Sequence, residues 1–270
     1  MPEVYPYDSH SGNHRLAIIV PFRNRFEELQ EFVPYMKNFL RNQSIVNDIY
    51  IVNQVEEVNS TNLAMKTVHS SLFCFQVDDF RFNRASLINI GFLHVNKLSK
   101  YDYIVMHDVD LIPINPQLRY SFPEEGNALH IASPKTHPKY HYDNFVGGIL
   151  ILTSKDFLKL NGLSNRYWGW GLEDDEFYLR MKQGGVKVNR PENITTGPTN
   201  TFKWVFSSFF LFLSLILPSS LFSFEVLIEL LETKLCCDAG ISTTQSKEVV
   251  TWSNVLIRKL PLVNVTGSQG

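Results

Sequence analysis

The sequence predicts an α/β fold in which helices alternate with the strands of a sheet. Three observations carry this prediction: a continuous apolar run at 16–20, an amphipathic helical pattern at 26–40 and a second apolar run at 49–52. Continuous apolar runs of this length are typical of strands buried on both faces, and a strand–helix–strand order joins parallel strands through a crossover. With 270 residues the chain is long enough to bury one large core and a small second unit.

The composition excludes several classes of protein. Basic and acidic residues nearly balance, at 25 and 27, and no basic stripe of the kind that binds nucleic acid is present. The three cysteines, Cys74, Cys236 and Cys237, have neither zinc-site spacing nor the pattern of a disulfide framework. Residues 1–13 are polar and predict an unpacked lead-in, and they contain no apolar core of the kind that a signal peptide or anchor needs.

The segment Pro21-Phe22-Arg23-Asn24-Arg25 follows the first strand and is predicted to form the loop between that strand and the first helix. Two arginines at the carboxyl end of a buried strand suit phosphate groups, because a guanidinium binds oxyanions through paired N–H donors. Taken alone, however, the pentapeptide favours an ordinary charged surface.

A second helix is predicted to begin after Asn83, whose side chain is a favourable N-cap. The residues that recur at helical spacing and give this helix a core face are Ala85, Ile88, Phe92 and Val95. Asn83 is explained by capping alone, and Arg84 by an exposed position in the first turn, so neither residue by itself indicates a function.

Two carboxylates follow the short apolar run 103–106, which predicts a buried strand. Asp108 and Asp110 are two residues apart, so in extended backbone both side chains would point to the same side. Adjacent carboxylates repel unless a cation or strong donors neutralise them, and such a pair suits a divalent ion that also holds a diphosphate. The alternative is a solvated turn after the strand.

Two further strands are predicted at 129–132 and 145–152, after a loop at 111–127. Gly147 and Gly148 fall inside the second of these strands, where glycine usually marks the close approach of a ligand or of another backbone. Tyr140 and Tyr142 are two residues apart, so both rings are able to face one cleft. Half-buried tyrosines with a structural role are an equally good interpretation.

Aromatic and acidic residues are concentrated in the segment Trp168-Gly169-Trp170-Gly171-Leu172-Glu173-Asp174-Asp175-Glu176-Phe177. Four acids at the start of a helix are stabilised by the helix dipole, which is a purely structural explanation. Acids beside two tryptophans also fit a general base, because crowding and an apolar setting raise the pKa of a carboxyl group. The glycines on both sides of Trp170 would allow this loop to close over a ligand.

Five motifs occur in a fixed order: Pro-Phe-Arg-x-Arg, Phe-Asn-Arg-Ala, His-Asp-Val-Asp-Leu-x-Pro, Val-Gly-Gly and Trp-Gly-Trp-Gly-x-Glu-Asp-Asp. In this order they resemble the β-1,4-galactosyltransferases, and the resemblance covers residues 14–202 apart from one interruption. The variants at 80–84, 146–150 and 173–177 are most similar to the xylosylprotein branch of that family, which adds galactose to the xylose of proteoglycan linkers. The resemblance implies a Rossmann-like nucleotide-sugar glycosyltransferase fold of the GT-A type, with a mixed central sheet flanked by helices.

The resemblance also implies an activity and a role for each candidate residue. The reaction would transfer galactose from UDP-galactose to the 4-hydroxyl of xylose, on a proteoglycan core protein or a simple xyloside, with Mn²⁺ and inversion at the anomeric carbon. The family is one of Golgi membrane enzymes. The residues implied to contact the donor are Pro21, Phe22, Arg23, Arg25, Phe82, Asn83, Arg84, Asp108 and Val109.

In the same comparison, Asp110 would coordinate Mn²⁺ and Asp174 would take the proton of the 4-hydroxyl, with Glu173 and Asp175 beside it. The residues implied to contact the acceptor are Tyr140, Tyr142, Gly147, Gly148 and Trp170, the last of which would cover both substrates.

Two segments depart from the family pattern. An insert of about twenty residues, at about 56–77, is expected to form an external loop at little entropic cost. The family's Phe-x-His-x-His-Asp-Pro segment, which supplies histidine ligands to Mn²⁺, is replaced by Phe202-Lys203-Trp204-Val205-Phe206, and all eight histidines lie at or before His141. Residues 203–270 form a divergent hydrophobic tail, in which the uncharged stretch 204–224 is long enough for a membrane contact.

These departures leave three functional hypotheses open. The first is the enzyme described above. The second is a non-catalytic or poorly active splice isoform that binds UDP or a partner protein, because the histidine metal ligands are missing. The third is an unstable product, because an exposed apolar tail favours aggregation.

Overall fold

The computed structural model describes residues 14–55, 72–77, 80–98, 100–204 and 255–256. The longer strands and helices lie in the first half of this range, and the elements become shorter in the second half. Their bounds, in chain order, are β1 (Arg15–Phe22), α1 (Phe26–Arg41), β2 (Val46–Val55), β3 (Leu72–Val77), α2 (Arg84–Lys97), β4 (Tyr103–His107), β5 (Leu111–Pro113), β6 (Asn127–His130), β7 (Ile149–Thr153), α3 (Ser154–Lys159), α4 (Glu173–Gln183), β8 (Lys187–Asn189), β9 (Phe202–Trp204) and β10 (Val255–Leu256).

The main sheet is mixed, as predicted. Within the described ranges it has eight strands in the order β10-β3-β2-β1-β4-β7-β6-β8. The neighbours β3, β2, β1 and β4 are parallel, whereas β7 lies antiparallel to both β4 and β6. The parallel half therefore brings the carboxyl ends of β1 and β4 to the same edge of the sheet, which is where α/β proteins bind ligands.

The alternation of side chains along β1 divides the core into two layers. Leu16, Ile18, Val20 and Phe22 pack on the side of α1, while Ala17 and Ile19 pack on the side of α2. Helix α1 buries its apolar face against the first layer, in agreement with the predicted helix at 26–40. Helix α2 approaches the sheet closely at Gly91, where an added Cβ would lie 2.6 Å from the Ile19 side chain.

Several predicted strand boundaries are wrong in the second half of the chain. The predicted strand at 145–152 begins only at Ile149, so Gly147 and Gly148 precede β7 and do not lie within it. Gly148 has φ of +74°, which is incompatible with a strand. Strand β6 begins and ends two residues earlier than predicted, and 111–113 forms β5 in a segment that was predicted to be a loop.

The predicted insert also contributes to the sheet. Residues 72–77 form β3, which lies parallel to β2 with Gln54 opposite Gln76 and Val55 opposite Val77. The expectation of an external loop is therefore wrong for these six residues. Residues 56–71, the rest of the predicted insert, lie outside the described residues.

The predicted tail begins inside the fold. Lys203 and Trp204 form β9 together with Phe202, and β9 pairs antiparallel with β5 in a small second sheet. Apart from Trp204, the apolar stretch 204–224 lies outside the described residues. Among the helices that the structure describes, none is both long and apolar enough to cross a bilayer.

Candidate active site

The loop after β1 brings an arginine against one of the two predicted metal-binding acids. Arg25 Nη1 lies 3.4 Å from Asp110 Oδ2 and 3.5 Å from Glu28 Oε1, and the Glu28 side chain is almost fully buried. Burial raises the pKa of Asp110 to about 6, against the attraction of Arg25 and with the repulsion of Asp108. A buried carboxyl group in this condition is stabilised by any additional cation.

A second arginine binds the other acid of the pair. Arg84, the first residue of α2, donates from Nε to Asp108 Oδ1 at 2.7 Å, and its Nη1 lies 3.7 Å from Glu173 Oε1. Although burial alone would lower it, the charges of Asp108 and Glu173 raise the pKa of Arg84 above its ordinary value. Asn83 is the N-cap of this helix, as predicted, and its Oδ1 accepts the Ser86 N–H at 2.8 Å.

The prediction that Asp108 and Asp110 lie side by side in extended backbone is wrong. Strand β4 ends at His107, and the chain turns through Val109 and Asp110 before β5 begins. The two carboxylates consequently face different arginines, Asp108 meeting Arg84 and Asp110 meeting Arg25. Each acid is thus partly neutralised by its own cation.

His107 fixes the start of this turn. Its Nδ1 donates to the Asp108 carbonyl at 2.8 Å, so its Nε2 accepts the Tyr120 hydroxyl at 2.9 Å. Because burial lowers the pKa of His107 to about 4, the ring is neutral at physiological pH and both hydrogen bonds are maintained.

Asp174 lies in the first turn of α4, beside the glycines that precede β7. A Cβ added to Gly147 would lie 2.6 Å from Asp174 Oδ2, so only glycine permits this approach. Burial, and after it the charge of Glu173, raises the pKa of Asp174 to about 6, while Arg84 opposes the shift. Such a carboxyl group is mostly ionised at neutral pH and still basic enough to accept a proton.

Aromatic rings lie on the same side of the site as Gly147. The Tyr140 and Trp170 ring centroids are 5.8 Å apart, and those of Tyr142 and Phe145 are 5.5 Å apart. Trp170 and Tyr142 are 61% and 44% exposed, so both present open ring surface to solvent. Burial and the nearby carboxylates of Asp174 and Asp175 raise the pKa of Tyr142.

Five other predicted site residues lie in β1 or the core, or contact the site through the backbone. Pro21 and Phe22 are the last residues of β1 and not part of the following loop. Val109 is buried in the core layer on the α1 side. The carbonyl of Phe82 accepts a hydrogen bond of 2.8 Å from the Gly169 N–H, which connects the segment before α2 to the loop before α4. A Cβ on Gly148 would approach Ala132 to 3.0 Å.

The residues that replace the family's histidine segment begin in strand β9. Trp204, which stands two residues after Phe202 where the family pattern has its first histidine, pairs with Leu111, directly after Asp110. Within the described ranges, no group of three or more His, Cys, Asp or Glu side chains is arranged to hold a metal ion. Asp110 fits a metal ligand by its chemistry and burial, but the remaining ligands would have to come from diphosphate oxygens and water.

His137, whose ring centroid is 6.0 Å from that of Trp204, does not substitute for the missing ligand. Its Nδ1 accepts the N–H groups of Lys139 and Tyr140, at 3.0 and 2.9 Å. The proton of the neutral ring is therefore on Nε2, whereas a metal-bound nitrogen must carry none. His137 instead organises the loop that carries Tyr140.

Three further residues contact the site and have no clear signal in the sequence. Lys139 places its Nζ 4.3 Å from the Trp170 ring centroid, and Gln54 hydrogen-bonds the backbone of 80–83. Glu28 has a weak signal, since it lies three residues after Arg25 on the first turn of a helix.

Taken together, the site combines guanidinium groups for a charged leaving group, a carboxyl group with a raised pKa and exposed aromatic rings. Arginines stabilise the negative charge that develops on a departing diphosphate. Aromatic faces pack against the C–H faces of sugars. This combination suits the transfer of a sugar from a nucleoside diphosphate to a hydroxyl group.

Comparisons with protein families agree with this chemistry. Residues 127–204 match the family described as the N-terminal domain of galactosyltransferase. Residues 3–70 and 63–123 match the N-terminal region of glycosyl transferase group 7 in two separate segments. The two segments overlap at 63–70, inside the predicted insert, and the first family match ends at Trp204.

Individual relatives extend the similarity. The chain is 50% identical over 200 residues to beta-1,4-galactosyltransferase 7 of Drosophila melanogaster, covering 74% of this chain and 55% of the relative. It is 47% identical over 202 residues to the xylosylprotein 4-beta-galactosyltransferase of Caenorhabditis elegans, covering 75% and 62%. The chain thus spans between half and two thirds of the length of these relatives.

A solved structure matches with a TM-score of 0.62 and 48% identity, covering 73% of each chain. It is the crystal structure of a point mutant of the Drosophila β-1,4-galactosyltransferase 7 in complex with manganese, UDP-Gal and xylobiose.

Proposed function

This chain belongs to the β-1,4-galactosyltransferase family, and we propose that it transfers galactose from UDP-galactose to the 4-hydroxyl of xylose. The observation that carries the proposal is the position of Asp174, a mostly buried carboxyl group at the start of α4 with a pKa of about 6. It lies beside Gly147, and its charge acts on the hydroxyl of Tyr142, whose ring is 44% exposed.

The donor would lie along the carboxyl edge of the parallel strands. Arg23, Arg25 and Arg84 would hold the diphosphate and nucleotide, since all three follow β1 or begin α2 at that edge. The other residues proposed to border the donor are Pro21, Phe22, Phe82, Asn83, Asp108 and Val109.

The acceptor would lie against the exposed rings of Trp170 and Tyr142, beside the backbone of Gly147 and Gly148. The 4-hydroxyl oxygen attacks C1 of galactose from the face opposite UDP, so the O4–C1 bond forms while the bond from C1 to the phosphate oxygen breaks. UDP leaves with the electron pair, and the hydroxyl proton passes to Asp174. Burial keeps the pKa of that carboxyl group high, and the charges of Glu173 and Asp175 add to the shift. The configuration at C1 is inverted.

The described residues supply too few side chains to complete the coordination of a metal ion. Asp110 would be the protein ligand to Mn²⁺, whose charge, when it is bound, would offset the negative charge that develops on the diphosphate. The manganese and UDP-Gal of the Drosophila complex support this assignment.

We propose that the natural acceptor is xylose on a proteoglycan core protein and that the protein acts in the Golgi. The xylobiose of the Drosophila complex supports a xyloside acceptor, and the C. elegans relative is named for a xylosylprotein substrate. A simple β-xyloside is therefore the appropriate acceptor for a first assay.

A second candidate function is the binding of UDP without transfer. Trp204 favours it, because an indole occupies the position beside Leu111 where the family pattern has a histidine ligand. Loss of an imidazole ligand lowers metal affinity, and transfer would weaken with it.

The test is galactose transfer from UDP-galactose to a β-xyloside at increasing Mn²⁺ concentrations, with Asp174→Asn as the matched inactive control. We expect transfer that saturates with Mn²⁺ and that falls by about 10²- to 10⁴-fold in the control, the usual contribution of a general base. A β-glucoside serves as the acceptor control, and the linkage of the product is assigned by NMR.

Folded protein that binds UDP but gives no transfer above the Asp174→Asn background would contradict the enzyme and support the second candidate. Transfer to the glucoside at the same rate as to the xyloside would contradict the proposed acceptor.

A further inference from the structure

Lys139 lies over two neighbouring aromatic rings, those of Trp170 and Tyr140. Its Nζ is 4.3 Å from the centroid of the Trp170 ring and 5.1 Å from that of Tyr140. The two rings are themselves 5.8 Å apart and inclined at 47°. An ammonium group this close to aromatic faces is attracted by their negative potential.

We propose that Lys139 is a positioning residue that holds the Trp170 loop (residues 168–172) against the tyrosine loop (residues 137–145). The predicted effect of Lys139 on galactose transfer rests on the proposed function. The contact between Lys139 and the two rings does not. No motif of the sequence includes Lys139.

Hydrogen bonds within the tyrosine loop hold the backbone of Lys139 in place. The Lys139 and Tyr140 N–H groups both donate to His137 Nδ1, and the His137 ring packs against Phe145 with centroids 4.9 Å apart. His137 is buried and neutral, because burial lowers its pKa to about 4. The start of the Lys139 side chain is therefore fixed in position.

The Trp170 loop is anchored at its start, where the Gly169 N–H donates to the Phe82 carbonyl at 2.8 Å and the Trp168 and Phe80 ring centroids are 5.1 Å apart, whereas Trp170 itself is open to solvent. Gly169, Gly171 and Leu172 all have positive φ, at +87°, +94° and +74°, and the Trp170 side chain is 61% exposed. A Cβ added to Gly171 would meet nothing within 4 Å among the described residues. The contact with Lys139 therefore acts on the exposed ring at the tip of the loop.

The contact should increase acceptor affinity more than it increases the rate of chemistry. If the loop is in place in only a fraction of the molecules, the apparent dissociation constant of the acceptor rises by the inverse of that fraction. A cation–π contact of ordinary strength changes such a population by about 3- to 30-fold. Once the acceptor is bound, the loop is in place and the rate constant for transfer is little affected.

The first test measures the loop without catalysis. Acrylamide quenching of tryptophan fluorescence is recorded for the full chain and for Lys139→Met and Lys139→Arg, each with and without Trp170→Phe, so that the Trp170 signal is obtained by difference. Acrylamide is uncharged, so loss of the lysine charge does not itself alter the quencher concentration. Lys135→Met, in the same segment and exposed, is the matched control.

We expect Lys139→Met to increase the quenching of Trp170, and Lys139→Arg and Lys135→Met to leave it close to that of the parent. The proposal is overturned if Lys139→Met leaves quenching unchanged, or if Lys139→Arg increases it as much as Lys139→Met does. Melting temperatures of all variants establish that they are folded.

The second test measures transfer. Lys139→Met should raise KM for the β-xyloside by about 3- to 10-fold and change kcat by less than about twofold, with Lys139→Arg restoring the parent KM. A loss in kcat alone would overturn the positioning role. If none of the proteins transfers galactose but quenching responds as expected, the proposed function fails and the contact between the loops stands.

Discussion

Leu111 and Trp204 are partners in the ladder between β5 and β9, so the indole stands one residue beyond Asp110 in the neighbouring strand. The pairing of Pro113 with Phe202 fixes the register of this ladder. The position of residue 204 relative to Asp110, which is proposed to bind Mn²⁺, is therefore determined by the pairing of β5 with β9.

Restoring an imidazole at this position should strengthen metal binding. We expect Trp204→His to lower the dissociation constant for Mn²⁺, measured by calorimetry in the presence of UDP, by about tenfold or more, because it adds a nitrogen ligand to a carboxylate site. Trp204→Phe is the control, since it removes the indole without adding a ligand. Equal affinities for the two variants would mean that position 204 does not face the metal.

The raised pKa of Asp174 should lower the free energy of unfolding at neutral pH. Its pKa is raised from 3.8 to about 6, so the folded state binds the proton more tightly than the unfolded state does. The cost is absent below about pH 4, develops between pH 4 and 6 and is complete above pH 6. We expect Asp174→Asn to increase the free energy of unfolding at pH 7.5 by an amount on the order of 2 kcal/mol.

Denaturant unfolding at pH 7.5 and pH 4 measures this effect. The gain for Asp174→Asn should disappear at the lower pH. A variant that is less stable than the parent at pH 7.5 would contradict the raised pKa.

Gly147 should be sensitive to the addition of a single methyl group. In Gly147→Ala the new Cβ would lie 2.6 Å from Asp174 Oδ2 and 2.7 Å from the Phe145 ring, so one of these groups must move. We expect transfer to fall by about 10²-fold, as for other misplacements of about 1 Å in an active site. Gly197→Ala is the matched control, because its Cβ would meet nothing within 4 Å in the described part of the chain.

Kinetic assay of the two alanine variants with the same xyloside separates them. Similar losses in both would show that the approach of Gly147 to Asp174 is not required.

Arg84 should matter for folding as well as for the donor. Its side chain is 14% exposed and neutralises Asp108 and Glu173, so Arg84→Met would leave two carboxylates without their buried cation. We expect a loss of about 3–5 kcal/mol in the free energy of unfolding, measured with denaturant. Arg25→Met is the comparison, and we expect a smaller loss, because Arg25 is 43% exposed and its contacts with Asp110 and Glu28 are longer, at 3.4 and 3.5 Å. Equal losses would contradict the difference in burial.

The sequence predicted the features that depend on local pattern. The run at 16–20, the amphipathic pattern of α1 and the Asn83 cap each depend on residues close together in the chain, and all three are found in the structure. The positive φ of Gly148, which delays the start of β7, has no reliable signal in composition. Strands β5 and β9 are three residues each and stabilise one another across a long separation, so neither is identifiable alone.

The site residues also divide into those with a local sequence pattern and those whose contacts depend on distant parts of the chain. Asp110, Arg84 and Asp174 were identified from their motifs, and the structure places Arg84 between Asp108 and Glu173. The separation of Asp108 from Asp110 by a turn depends on how β4 ends. The contact of Lys139 with Trp170 joins two loops and could not be predicted from either one.

Gln54, near the end of β2, has a consequence for how this fold tolerates changes in length. Its side chain donates to the carbonyls of Phe80 and Arg81 and accepts the Asn83 N–H at 2.9 Å. The start of α2 is thereby attached directly to the sheet, whatever the number of residues that connect Val55 to Phe80. The connection between Val55 and Phe80 can therefore be changed in length, for example by engineered grafting, while Asn83 and Arg84 keep their positions.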